Sequence, residues 1–233
     1  MGSDRRPRLG LGNVKTMMDA KMKGMVMAVM SALCLVLGIM GAMGSTWLTQ
    51  DYSDEEQEMA DEMGIESSGA ALNYGWIIIH RDVSESECED TIEATESGIG
   101  GTASCDSDGV MTVEMPFSET CDDTDDEDSC DMATGGMIGT IGMWAGIVCA
   151  LLITLTMVLP MAGVDVMDAV PENVTKIATW GAGALMLVGM LGWYFMLPDG
   201  GDMSLGMSGW MAGAAMSMGL GSALIGQFIE AEE

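Results

Sequence analysis

Four long stretches without a single Asp, Glu, Lys, Arg or His constrain this sequence more than any other feature. They run from Gly24 to Leu48, Gly135 to Gly163, Ile177 to Leu197 and Met203 to Ile229. A helix that crosses the hydrocarbon of a bilayer needs roughly 20 apolar residues, and each stretch reaches that length. Backbone groups in lipid must find partners inside their own segment, which favours helices. The polar alternation of membrane β-strands is missing. A soluble core would have too little polar chain left to cover four such helices.

The charges agree. Hydrophobic residues make up 48% of the chain, yet the net charge is -28. Of the 36 Asp and Glu, 26 lie between Asp51 and Asp131, where Arg81 is the one Lys or Arg. The expected fold class is therefore membrane all-α: a four-transmembrane-helix bundle with a small disulfide-stapled, partly β extracytoplasmic domain between helices 1 and 2. The division expected is a basic cytoplasmic N-terminus (1–23), a first span (24–48), an acidic outer domain (49–134) and a second span (135–160). A cytoplasmic loop (161–176), a third span (177–197), an outer turn (198–202), a fourth span (203–229) and a cytoplasmic tail (230–233) follow.

Orientation comes from the bases. Arg5, Arg6, Arg8, Lys15, Lys21 and Lys23 precede the first stretch, and Lys176 lies between the second and third. Positive residues stay cytoplasmic, so both termini are expected inside a cell membrane and residues 49–134 outside. Trp47, Trp193 and Tyr194 then mark outer boundaries and Trp180 an inner one. The first stretch exceeds the roughly 7–15 residues of a signal-peptide core and is read as a retained helix.

Four cysteines, Cys88, Cys105, Cys121 and Cys130, all fall in the outer segment, which suggests two disulfides. Of three pairings, Cys88–Cys105 and Cys121–Cys130 is favoured because each closes a short local loop. Cys34 and Cys149 fall within spans and read as small packed residues.

Two stripes of small residues are candidate helix-packing surfaces: Gly135, Gly139, Gly142 and Gly146, and then Gly206, Gly209, Gly213, Ser217 and Gly221. Small residues let membrane helices approach closely. The stripes serve packing within the chain or a homo-oligomer. Polar atoms in the spans are mostly hydroxyls, such as Thr140, Thr154, Thr156, Ser208 and Ser217, which can bond back to their helix. The absence of buried ionisable groups argues against a pump, an ion-coupled transporter or an intramembrane hydrolase.

In the outer segment, Ser53 to Met63 reads as a short acidic helix. Trp76 to Ile79 and Val110 to Met115 read as strands. The acidic run Asp122, Asp123, Asp125, Asp126, Glu127 and Asp128 repels itself and is expected to stay solvated. Its carboxylates could alternatively hold Ca2+ weakly, and Asp106 to Gly109 slightly resembles part of a calcium loop. Met203, Met207 and Met211, four residues apart, could offer thioethers to Cu+, although methionine is spread over all four spans as apolar filler. His80, the lone histidine, follows an apolar strand with no nucleophile nearby. No enzyme activity, no resident cofactor and no nucleic-acid partner are expected.

Trp47 follows the first span, Gly75 and Trp76 stand together in the outer segment, and Cys88 and Cys105 come after them. This layout resembles the claudin-like tetraspan superfamily of claudins, peripheral myelin proteins and calcium-channel gamma subunits. Those proteins carry a Trp soon after helix 1, then a Gly-Leu-Trp motif and a cysteine pair. Here no residue separates Gly75 from Trp76, Cys88 comes twelve residues after Trp76, and a second cysteine pair is added. The resemblance implies a non-enzymatic protein whose outer domain contacts a cell-surface partner, a subunit or another copy. The alternative is a cation-handling membrane protein.

Overall fold

The computed structural model describes residues 18–50, 53–72, 75–97, 101–124, 127–161, 163, 171–197, 203–228 and 231–232. A two-residue strand β1 (Met18–Asp19) leads into helix α1 (Ala20–Met43) and strand β2 (Leu48–Gln50). The acidic helix α2 (Asp54–Glu62) precedes a hairpin of β3 (Ile65–Ala70) and β4 (Gly75–His80). Helix α3 (Glu85–Ser97) follows, then the hairpin β5 (Thr102–Cys105) and β6 (Met111–Pro116). Helix α4 (Phe117–Thr124) leads to the long α5 (Glu127–Met161) and α6 (Glu172–Phe195). The chain closes with β7 (Met203–Leu205), α7 (Met207–Phe228) and β8 (Ala231–Glu232).

Three helices are long and apolar enough to cross a membrane, within Lys21–Met43, Glu127–Pro160 and Asn173–Phe195. The expectation of four transmembrane spans is corrected on this point. The fourth stretch does form a helix, and α7 packs along α1 and α6. Yet its 22 residues are diluted by Gly209, Gly213, Gly219, Gly221, Gly226, Ser208, Ser217, Ser222 and Gln227. Gly and Ser bury little or no apolar side-chain surface, so α7 has the length of a span without the apolarity.

The partly β portion expected between the first two spans is present and is more extensive than the two strands read from the sequence. A six-stranded sheet stands at one end of the helices, in the order β5-β6-β4-β3-β2-β7, with every neighbouring pair antiparallel. Its last strand, β7, comes from the segment just before α7 and pairs Leu205 with Leu48 of β2. At the opposite end β1 and β8 pair in parallel, Met18 with Ala231. The two ends of the described chain therefore lie side by side, away from the sheet.

Glycine lets the long helices meet backbone to backbone. A Cβ placed on Gly189 of α6 would lie 2.8 Å from the Cα of Gly142 in α5. A Cβ on Gly219 of α7 would lie 2.9 Å from the Cα of Gly183 in α6, and one on Gly41 of α1 would lie 2.9 Å from the amide nitrogen of Ala212. Side chains at these points would separate the helices and forfeit the dispersion contacts that hold membrane helices together. Along α5, Gly135, Gly139, Gly142 and Gly146 all face α6 or its C-terminal end, with Met196, Trp193, Gly189 and Met186 as neighbours. The α7 stripe falls elsewhere. Gly206 and Gly209 lie against the segment Thr46–Trp47 and Leu205, Gly221 meets Met30, and Gly213 has only a methionine methyl, 3.9 Å away. Ser217 is exposed and donates to the Gly213 carbonyl at 2.8 Å. The buried residues of α7 are Ser208, Gly209, Ala212, Ala215, Gly219, Ser222 and Ala223, so of the stripe within this helix only Gly209 is among them. Both faces are rich in Gly, Ala and Ser, so composition could not choose between them.

The hydroxyls divide similarly. Thr154 and Thr156 donate to the carbonyls of Ala150 and Ile153. Ser208 instead meets Thr46 at 3.1 Å, across two helix ends. Ser31 and Ser222 share a buried hydrogen bond of 3.2 Å between α1 and α7. Among the described residues the Thr140 hydroxyl is buried without a partner. Replacing Gly142 with Leu is expected to destabilise the α5–α6 contact by about 1–3 kcal/mol through overpacking. Thermal unfolding in detergent measures it; Met137→Leu, on the exposed face of α5, serves as the near-neutral control.

Candidate functional site

The sheet end of the molecule is the candidate site, and Trp47 mounts it on the helices. Trp47 is fully buried. Its indole N–H donates to the Gly41 carbonyl at 2.8 Å. That carbonyl lies in the last turn of α1, where helix carbonyls have no partner of their own. The Trp47 amide donates to the Ala70 carbonyl of β3 at 2.9 Å, and its carbonyl accepts from the Gly206 amide at 2.8 Å. The Ser208 amide, in the first turn of α7, donates to the Thr46 carbonyl at 3.0 Å. Trp193 of α6 meets the Trp47 ring edge-on, with centroids 5.0 Å apart. One residue pair thus ties α1, α6, α7 and the sheet.

Strand register assigns the faces. Cross-strand partners share a face, so Ala70, Trp76 and Met115 lie together, as do Ser68, Ile78 and Val113. Ala103 and Cys105 extend this apolar face onto β5. Trp76 packs edge-on against Phe117 at the start of α4, with centroids 5.8 Å apart. Gly75 has φ +132°, a conformation that only glycine adopts readily. A Cβ there would also collide with the Met115 carbonyl.

Both disulfides are present, as Cys88–Cys105 and Cys121–Cys130. The first fastens α3 to β5. The second fastens α4 to the first turn of α5. In the acidic run, Asp122 lies exposed in the last turn of α4, and Glu127 and Asp128 open α5 exposed. Asp123 lies on α4, and Asp125 and Asp126 fall outside the described residues. Where described, the run is helical, and Asp122, Glu127 and Asp128 within it are exposed. The disulfide and the local helix hydrogen bonds hold it against its own repulsion.

Asp106 to Gly109 form a hairpin turn between β5 and β6. The Asp106 carboxylate accepts from the amides of Asp108 at 2.8 Å and Val110 at 3.0 Å, and Gly109 has φ +77°. Among the described residues no three His, Cys, Asp or Glu side chains converge as a metal set. Met203 lies on β7, Met207 opens α7 exposed, and Met211 lies one turn further on. His80 ends β4 opposite Met111. Cys34 is buried in α1 and Cys149 half-buried in α5, both as free thiols.

The surface of the domain is acidic. Arg81 is engaged by Glu66 in an ion pair. Glu55, Glu58, Glu62, Glu85, Glu89 and Asp90 on α2 and α3 are exposed. Two carboxylates have local structural work. Glu56 accepts from the Ser53 amide at 2.9 Å and hydroxyl at 2.8 Å, closing the N-terminus of α2. Glu87 accepts from the Ser84 hydroxyl at 2.6 Å and amide at 3.0 Å at the start of α3. These bonds favour the ionised form and hold both carboxyls below the usual range. Sequence reading passed over both capping serines, although Ser-x-x-Glu is a visible signature at each.

No family model, curated protein or solved structure matches this chain.

Two outcomes are expected. Trp47→Phe keeps the ring but strands the Gly41 carbonyl, lowering stability by about 1–3 kcal/mol in chemical denaturation. Glu56→Gln and Glu87→Gln lower the melting temperature of the protein at neutral pH. A depressed carboxyl pKa contributes stability above its unfolded value that is lost as pH falls through its folded value. The gap between wild type and these variants should therefore close on acidification below about pH 4, and a gap that persists there contradicts the assignment.

Proposed function

We infer that this is a non-enzymatic membrane protein that presents an acidic sheet domain at the outer cell surface, where it binds a partner protein or subunit. The observation that carries this reading is the acidic surface itself, displayed on a sheet fixed to the helices through Trp47 and stapled by two disulfides. A rigid mount lowers the ordering cost of association. A one-sign field steers a partner of opposite charge and makes the encounter sensitive to salt.

Orientation belongs to the same proposal. The pole with Lys21, Lys23 and Lys176 faces the cytoplasm under the positive-inside rule. The disulfides then lie on the oxidising side. Kinship with the claudin-like proteins is part of it too. Its support is a first long segment that folds into most of a sheet, a buried Trp47 just past α1, and the Cys88–Cys105 bridge after Trp76.

The test is cross-linking of the full chain in its native membrane, followed by mass analysis. Wild type should yield a defined partner whose capture falls as salt rises. The set Glu55→Gln, Glu58→Gln, Glu62→Gln, Glu85→Gln, Glu89→Gln and Asp90→Asn should lose it while retaining the wild-type melting temperature. Capture unchanged in that variant would overturn the reading. So would stoichiometric copper in the purified protein that disappears with Met207→Leu and Met211→Leu, which favours cation handling.

A further inference from the structure

The pole opposite the sheet holds a cavity of about 690 Å³ between α1, α6 and α7. Met27 of α1 lies on one side. Thr175, Lys176, Thr179 and Trp180 of α6 lie on the second, and Ala223, Gly226 and Gln227 of α7 on the third. We propose that this cavity is a binding site for the headgroup of an anionic glycerophospholipid.

The chemistry of the walls supports a phosphate. Lys176 brings a positive charge to the lining, just beyond the first turn of α6. Lys23 reaches the same corner, its Nζ donating to the Gly226 carbonyl at 3.0 Å. Trp180 donates its indole N–H to the Gln227 side-chain oxygen at 3.1 Å. That bond fixes the amide of Gln227 and leaves its nitrogen as a donor for a ligand. Gly226 has no side chain to fill the space; a Cβ there would press on the Met27 methyl at 2.9 Å.

The surroundings favour a lipid over a free phosphate. Ile177 of α6 is 71% exposed, Phe228 of α7 is 69% exposed and Met25 of α1 is 54% exposed. These flank the cavity on helices that carry exposed apolar side chains along their length, which is where acyl chains would lie. Trp180 sits at the junction, as expected of an aromatic at the membrane interface. A basic pocket between helix ends with an apolar approach is the shape of an anionic lipid site.

The test uses the full chain in vesicles of phosphatidylcholine containing either dibrominated phosphatidylglycerol or dibrominated phosphatidylcholine at equal mole fraction. The signal is the quenching of Trp180 fluorescence, taken as the difference from Trp180→Phe. Phosphatidylglycerol should bind more tightly, by on the order of fivefold for each lysine at the site. Lys176→Gln should remove about that factor, and Lys176→Arg should keep the preference. Equal quenching by the two lipids, or a preference unchanged in Lys176→Gln, overturns the proposal. Soluble glycerol 3-phosphate should not displace the brominated lipid; if it does, the cavity is a site for free phosphate esters and the lipid assignment is wrong.

Discussion

Everything at the sheet end of this protein depends on the burial of Trp47. Its ring lies where the helices meet the sheet, and its three hydrogen bonds reach α1, β3 and the approach to α7. An indole suits this place because it combines a large apolar body with one donor. The donor goes to an orphaned carbonyl at the end of α1, so helix termination and domain attachment are solved by the same side chain. Trp193 closes the other side at 5.0 Å. Without this joint, β2 and β7 would lose the anchor that brings two distant parts of the chain into one sheet.

Below the joint, packing relies on the absence of side chains. Gly142 against Gly189, Gly183 against Gly219 and Gly41 against Ala212 bring backbones into direct contact. The price is apolarity. Helix α7, richest in Gly and Ser on its contact face, falls short of the hydropathy that marks the other three as membrane-crossing. It gains its place through contact with α1 and α6 instead. Its serines make the same trade, since Ser222 pairs with Ser31 and Ser208 with Thr46.

Among the described residues the lysines lie at one pole, although Asp19, Glu172 and Glu232 lie there too. The sheet end carries the exposed carboxylates of α2 and α3 with Arg81 committed to Glu66. The opposite end carries Lys21, Lys23 and Lys176 close to the paired chain ends. Like charges crowded in the acidic domain repel one another, and the two disulfides and the Ser53 and Ser84 caps oppose that repulsion locally. Ionised capping carboxylates are more useful here than neutral ones, because each satisfies two donors while remaining hydrated.

The sequence by itself determined the segregation of apolar and acidic chain, because hydropathy over some twenty residues is a local property. It also located the acidic helix from Ser53, the strands around Ile77 and Val113, and two disulfides whose short loops favour the pairs that form. The tertiary structure alone decided the rest. Gly and Ser lie on both candidate faces of α7, and only the position of α1 and α6 selects Ala212 and Gly219 over Gly213 and Ser217. The pairing of Leu48 with Leu205 spans most of the chain, and no local pattern specifies it. The number of helices apolar enough to cross a membrane fell from four to three for a related reason. A stretch free of charge is not thereby strongly apolar, and what holds α7 in place is contact with its neighbours.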